Sequence, residues 1–140
     1  MTRLIRLLIV DDEERFVETL SKRLTARGLY VEGAHSGPEA LSMLNARPFD
    51  VVLLDLRMPG MDGLQTLREI RLAQPLLQAV MLSGNASINA AVEGMRLGAS
   101  DYLLKPADIE DVVATRMTWL RKPGNWTWTS TSRTVMLSGI

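Results

Sequence analysis

The sequence predicts a doubly wound α/β fold: a five-stranded parallel sheet with helices on both faces. Short runs rich in Val, Leu and Ile recur along the chain, and stretches with helical periodicity separate them. Acidic and turn-forming residues gather where the apolar runs end. Val51-Val52-Leu53-Leu54 shows the pattern best: four apolar residues in a row read as a strand buried on both faces. It ends on Asp55, and Met58-Pro59-Gly60-Met61-Asp62-Gly63 then turns the chain into a new element. Regular alternation of this kind favours right-handed crossovers and hence a parallel sheet.

At 140 residues the chain is one domain's worth, long enough to bury most of a core by itself. Sixteen basic and sixteen acidic residues cancel, so no global field draws in nucleic acid or an anionic membrane, and neither is expected as a direct partner. The absence of cysteine excludes disulfides, thiolate catalysis and Cys-ligated metals. A single histidine, His35, cannot build a His-based zinc site and reads as a surface residue. The start of the chain superficially suggests a signal peptide. Its uninterrupted apolar run, Leu7 to Val10, is too short for that or for a membrane span, and Asp11-Asp12-Glu13-Glu14 follows directly. A cytoplasmic protein is expected.

The elements follow in order. Leu4 to Val10 is a first strand. From about Glu13 to Arg27, Phe16, Val17, Leu20 and Leu24 form one apolar helical stripe opposed by charged residues, and Gly28 ends it. Leu29 to Ala34 is a second strand. Ser36-Gly37-Pro38-Glu39 reads as a helix start, with Ser36 as N-cap and Glu39 spaced to reach back to it. Ala40, Leu41 and Leu44 supply that helix's buried side, and Pro48 leads into the central strand. Asp62 caps a third helix with Leu64, Leu67 and Ile70 inward, closed by Pro75. Leu76 to Leu82 is a fourth strand. Ile88, Ala91, Val92 and Met95 make the stripe of a fourth helix ended by Gly98. Asp101 to Leu104 is a fifth strand, and a last helix from Asp108 turns Val112, Val113 and Leu120 inward until Pro123-Gly124 stops it. Residues 1–122 thus read as the domain. Residues 123–140 form a tail, rich in Thr, Ser and Trp. Trp126 and Trp128 alternate in strand fashion and could pair with another chain. The favoured reading is a linker stub or an appended end.

The C-terminal ends of the strands carry Asp11 and Asp12, Asp55, Ser83 and Lys105. In a parallel sheet these ends share one edge, where open α/β sheets place their sites. Singly, each residue is ordinary polarity. Crowded carboxylates repel one another and are relieved by a hard divalent cation such as Mg²⁺ (or Mn²⁺), which commonly bridges one or two carboxylates to a phosphate. A lysine and a hydroxyl suit phosphoryl oxygens. Asp55 is left as a carboxylate nucleophile that forms an acyl phosphate.

Ile9-Val10-Asp11-Asp12-Glu13, Leu53 through Gly63, Leu82-Ser83-Gly84 and Gly98 through Pro106 together resemble the receiver domain of two-component response regulators, over about residues 4–121. The stretch from Ser83 to Met95 is further similar to receivers that precede AAA+ transcription activators. The resemblance implies a flavodoxin-like sheet of order 2-1-3-4-5. It implies Asp55 as phosphoacceptor, with Mg²⁺ held by Asp12, Asp55 and the backbone carbonyl of Arg57, and by Asp11 through water. Lys105 would pair with the phosphoryl group, Ser83 and Tyr102 would act as switch residues, and the Lys105-Pro106 peptide would be cis. A sensor histidine kinase would be the phosphodonor. The surface of the fourth helix, fifth strand and fifth helix would control an effector or output domain, or pair two copies of the chain. By the same resemblance, Arg57 and Asn85 would occupy positions that tune the phosphoryl lifetime. Asp101 reads only as a turn cap. A phosphatase of the haloacid dehalogenase type would need a second Asp where Arg57 stands, so turnover of external substrates is not expected. A pure interaction module would have no use for the full set Asp11, Asp12, Asp55, Ser83 and Lys105.

Overall fold

The computed structural model describes residues 4–58, 60, 62–84, 88–105, 109–119 and 126–128. Strands β1 (Arg6–Val10), β2 (Tyr30–Ala34), β3 (Val51–Asp55), β4 (Gln78–Ser83) and β5 (Asp101–Leu104) alternate with helices α1 (Glu14–Ala26), α2 (Gly37–Ala46), α3 (Gly63–Ala73), α4 (Ile88–Arg96) and α5 (Ile109–Arg116). The sheet order is β2-β1-β3-β4-β5, and every neighbouring pair is parallel. The expected architecture and order are those observed.

Successive residues of each strand point to opposite faces, so each apolar run feeds two cores. Leu7, Ile9, Leu53, Val80 and Leu82 pack with Val17, Leu20 and Leu24 of α1 and Val113 of α5. Leu8, Val10, Val52, Leu54 and Met81 pack with Leu44 of α2 and Leu67 and Ile70 of α3 on the other face. This double burial explains why the strands read as unbroken hydrophobic runs. Arg27 joins α1 to α5 through Glu110, at 2.6 Å, and Asp111.

Two local signals act as expected. The Ser36 hydroxyl accepts from the Glu39 N–H at 3.2 Å, and the Asp62 carboxylate accepts from the Gln65 N–H at 2.8 Å. The Glu39 carboxylate reaches back one residue further than a capping box would, to the His35 N–H at 3.1 Å.

Three expectations fail. β4 starts at Gln78, because Pro75 sets a turn in which the Leu77 N–H bonds to the Gln74 carbonyl at 3.2 Å, and Leu76 is left 91% exposed. Val92 and Met95 of α4 face solvent, whereas Gly94 is buried over β4. A Cβ on Gly94 would lie 1.9 Å from the Met81 sulfur, so the missing side chain is what lets α4 settle on the sheet with its small residues inward. The side chains of Ile88 and Val112, and the whole of Leu120, lie outside the described residues. Finally, α5 ends at Arg116, not at Pro123. Met117–Trp119 (β6) pairs antiparallel with Trp126–Trp128 (β7), in the register Met117↔Trp128, Thr118↔Thr127, Trp119↔Trp126. Thr and Trp favour extended backbone over helix. This hairpin straddles the position where the tail was set off from the domain.

Candidate functional site

Four of the five strands deliver a polar side chain to the C-terminal edge of the sheet. β3 ends on Asp55, only 4% exposed, and the chain is held there because the Leu56 N–H continues the ladder to the Leu82 carbonyl at 2.9 Å. The Arg57 N–H then turns back to donate to Asp55 Oδ1 at 3.1 Å. The start of α3 closes over this turn at Gly63. A Cβ there would sit 2.3 Å from the Asp55 carbonyl oxygen and 2.5 Å from Leu56 Cα, so only glycine allows the approach.

Asp11 follows β1 and is wholly buried, its N–H bonded to the Ala34 carbonyl at 3.0 Å. Its Oδ1 accepts from the Glu13 N–H at 2.9 Å, and its Oδ2 from Lys105 Nζ at 2.7 Å. Asp12, next in the chain, is exposed. Carboxylate oxygens of Asp11, Asp12 and Asp55 nevertheless lie within 4.8 Å of one another. Lys105 follows β5, and its backbone N–H donates to the Ser83 carbonyl at 2.8 Å, which places buried Ser83 and Lys105 side by side on hydrogen-bonded strands. Tyr102 of β5 is half-buried against the core beneath α4, and its hydroxyl is buried with no hydrogen-bond partner among the described residues. Arg57 is exposed and forms no ion pair among the described residues. Asn85 and Pro106, and with it the expected cis peptide, lie outside the described residues. Asp101 is buried and caps the Tyr102 N–H at 2.8 Å, the local role expected of it.

The electrostatics follow from this packing. Burial pushes the Asp55 carboxyl up to about 6. The Arg57 N–H opposes that shift, the Asp11 carboxylate reinforces it, and Lys105 opposes it. Burial would pull the Lys105 ammonium down, but its bond to Asp11, with further attraction from Asp55 and Glu13, outweighs this and leaves it raised. The ammonium is therefore a fixed cation beside a carboxylate that is reluctant to ionise. Three carboxylates in such proximity suit a hard divalent cation, since the donor set is oxygen alone.

The residues that sequence reasoning missed are those that hold Lys105. Glu13 Oε1 lies 3.2 Å from Nζ, and the Phe16 ring face stands 4.6 Å from it. In the sequence Phe16 shows only as a member of the apolar stripe of α1. The acidic run after β1 was the available signal for Glu13.

The response regulator receiver domain model matches residues 7–116. The chain belongs to that family. Among relatives of this receiver, the transcriptional regulatory protein ZraR of Escherichia coli O157:H7 is 40% identical over 111 residues, 79% of this chain and 25% of that protein. The chain thus spans about a quarter of the length of that relative. Of solved structures, a CheY-like receiver domain protein from Methanospirillum hungatei superposes with TM-score 0.76 at 29% identity, covering 81% of this chain and 90% of that one. A response regulator protein from Burkholderia pseudomallei, solved with a phosphorylated aspartic acid, a calcium ion and citrate, gives TM-score 0.74 at 36% identity, over 79% of this chain and 65% of that one. Among the described residues of this receiver, no helix is long and apolar enough to cross a membrane.

Proposed function

We propose that this receiver works in the cytoplasm, accepts a phosphoryl group on Asp55 from the phosphohistidine of a sensor histidine kinase, and passes the signal to an effector protein or output domain. The observation that carries this reading is the convergence of Asp11, Asp12 and Asp55 oxygens within 4.8 Å, beside a partly buried ammonium 2.7 Å from Asp11. In the transfer an Asp55 carboxylate oxygen attacks phosphorus, the P–N bond breaks, and the imidazole leaves with the bonding pair. Asp12, Asp55 and the Arg57 backbone carbonyl, with Asp11 acting through water, would be the groups to hold Mg²⁺. A bound divalent cation supplies charge neutralisation at the transferring group. Lys105 adds a fixed positive charge at a developing phosphoryl oxygen, and Ser83 offers a hydroxyl to another. Positioning and electrostatics carry nearly all the catalysis, so the chain promotes its own modification and turns over no external substrate.

The output reading rests on Ser83 and Tyr102. Ser83 draws toward the phosphoryl group, and Tyr102 turns into the space it vacates. The surface of α4, β5 and α5 then changes and engages its partner or a second copy of the chain, as one state of a two-state equilibrium.

Incubation with Mg²⁺ and acetyl phosphate tests the reading by intact mass. A single labile phosphoryl adduct is expected, and Asp55→Asn removes it. Absence of any adduct refutes phosphoacceptor function, and release of phosphate at high turnover refutes the assignment as a non-enzyme.

A further inference from the structure

Glu13 stands at the N-cap of α1, yet its side chain caps nothing: no hydrogen bond runs from it to the helix. Only its backbone carbonyl serves the helix, accepting from the Val17 N–H at 3.1 Å. At this position Ser, Thr, Asp or Asn would satisfy an orphan N–H and stabilise the helix. The Glu13 side chain extends instead to Lys105, Oε1 to Nζ 3.2 Å. A local preference is given up for a contact with Lys105, the ammonium of the phosphoryl site.

The donors of Lys105 make that contact consequential. An ammonium has three N–H groups. One is directed to buried Asp11 at 2.7 Å and one to Glu13, while the Phe16 ring covers a third side at 4.6 Å. A phosphoryl oxygen on Asp55 must therefore displace one of these partners. Asp11 is wholly buried and its bond is short, so it is retained. Glu13 is 68% exposed, its contact is longer, and water can replace what it loses, so it is the partner that yields.

We infer that Glu13 is a positioning residue that holds Lys105 in the unphosphorylated receiver and is exchanged for the phosphoryl group, so that it restrains phosphorylation. This rests on the phosphoacceptor reading of Asp55. Removing the grip frees a donor for the incoming group, and phosphoryl uptake speeds up. The gain is bounded by the worth of an exposed ion pair, roughly two- to fivefold.

The test is the rate of adduct formation in full-length chain with Mg²⁺ and acetyl phosphate, followed by intact mass. Glu13→Gln keeps the size and removes the charge. Glu13→Asp keeps the charge but is one methylene too short to grip Lys105, and it restores a good N-cap, so it folds at least as stably. Both variants are expected to take up the phosphoryl group faster than wild type. The advantage should shrink toward unity at about 1 M salt, where screening acts within about 3 Å. If Glu13→Gln is faster but Glu13→Asp matches wild type, simple repulsion of the donor accounts for the effect and the grip is refuted. Rates equal to or below wild type in both variants refute the inference and leave the phosphoacceptor reading standing. A wild-type chain that takes up nothing overturns both.

Discussion

Asp55→Asn should stabilise the metal-free protein, by an amount that grows from about pH 4 and levels off above about pH 6. Asp55 is 4% exposed, and its carboxyl sits at about 6 in the folded chain against an ordinary 3.8, chiefly because burial disfavours the charge. A raised carboxyl means that the fold prefers the protonated form. Its stabilisation is complete below the unfolded-chain value and is lost as pH rises through the folded one. The difference is worth about 3 kcal/mol at neutral pH. Asparagine keeps the Oδ1 that accepts from the Arg57 N–H and discards the charge. In a chain of this size about 3 kcal/mol corresponds to a rise in Tm of roughly 10 °C. Melting by differential scanning calorimetry in chelator, at about pH 4.5 and about pH 7.5, measures it. Acids remote from Asp55 titrate alike in both proteins and cancel in the difference. The variant should melt well above wild type at the higher pH, and exceed it by only about a third as much at the lower. A difference that is flat with pH, or a variant that melts lower at neutral pH, would refute the claim that an ionised Asp55 is a burden on the fold.

Mg²⁺ should reverse that order: it raises the Tm of wild type by binding the folded state, and Asp12→Ala should abolish most of the rise in a titration followed by melting. Gly63→Ala forces a methyl against the Asp55 carbonyl and Leu56 Cα, so a loss of up to about 3 kcal/mol in denaturant unfolding is expected, with reduced phosphoryl uptake as the end of β3 shifts. The exposed Arg57 guanidinium is free to shield or pair with an acyl phosphate two residues away. Arg57→Ala should therefore change the decay rate of the isolated phosphoprotein without preventing its formation, and an unchanged decay would refute this.

Different parts of the molecule were legible in the sequence for different reasons. Val51 to Leu54 announced a central strand because burial on both faces leaves no polar alternation to obscure it. Ser36 and Asp62 announced helix starts because a cap is a contact between near neighbours. The face that α4 turns to the sheet was not legible: Val92 and Met95 carry the apolar signal, but Gly94 fits against Met81 and the larger side chains are left outside. Nor was the end of α5, where helical periodicity continues but Met117–Trp119 finds an antiparallel partner that a local reading does not see. In the site, the gathering of Asp11, Asp12, Asp55, Ser83 and Lys105 at one edge follows from parallel strands alone. The grip of Glu13 and Phe16 on Lys105 does not, because it depends on where long side chains reach across two loops.

The same burial that makes Asp55 costly also makes the site able to signal. A carboxylate in water would gain little from a neighbouring ammonium, whereas one shielded from water responds strongly to each charge brought near it. Whatever relieves the crowding of Asp11, Asp12 and Asp55 therefore yields a large free-energy change at one spot. That change can move the rest of the molecule only where the two states contact the phosphoryl group differently. The connection is short: the Lys105 N–H bonds to the Ser83 carbonyl, Ser83 pairs in register with Leu104, and Tyr102, two residues back on the same strand, packs into the core on which α4 rests. In the proposed mechanism a pull on Ser83 and Lys105 is thus a pull on β5, and α4 is the element placed to answer it: it packs over Met81 of β4 at Gly94, which brings no side chain to that contact.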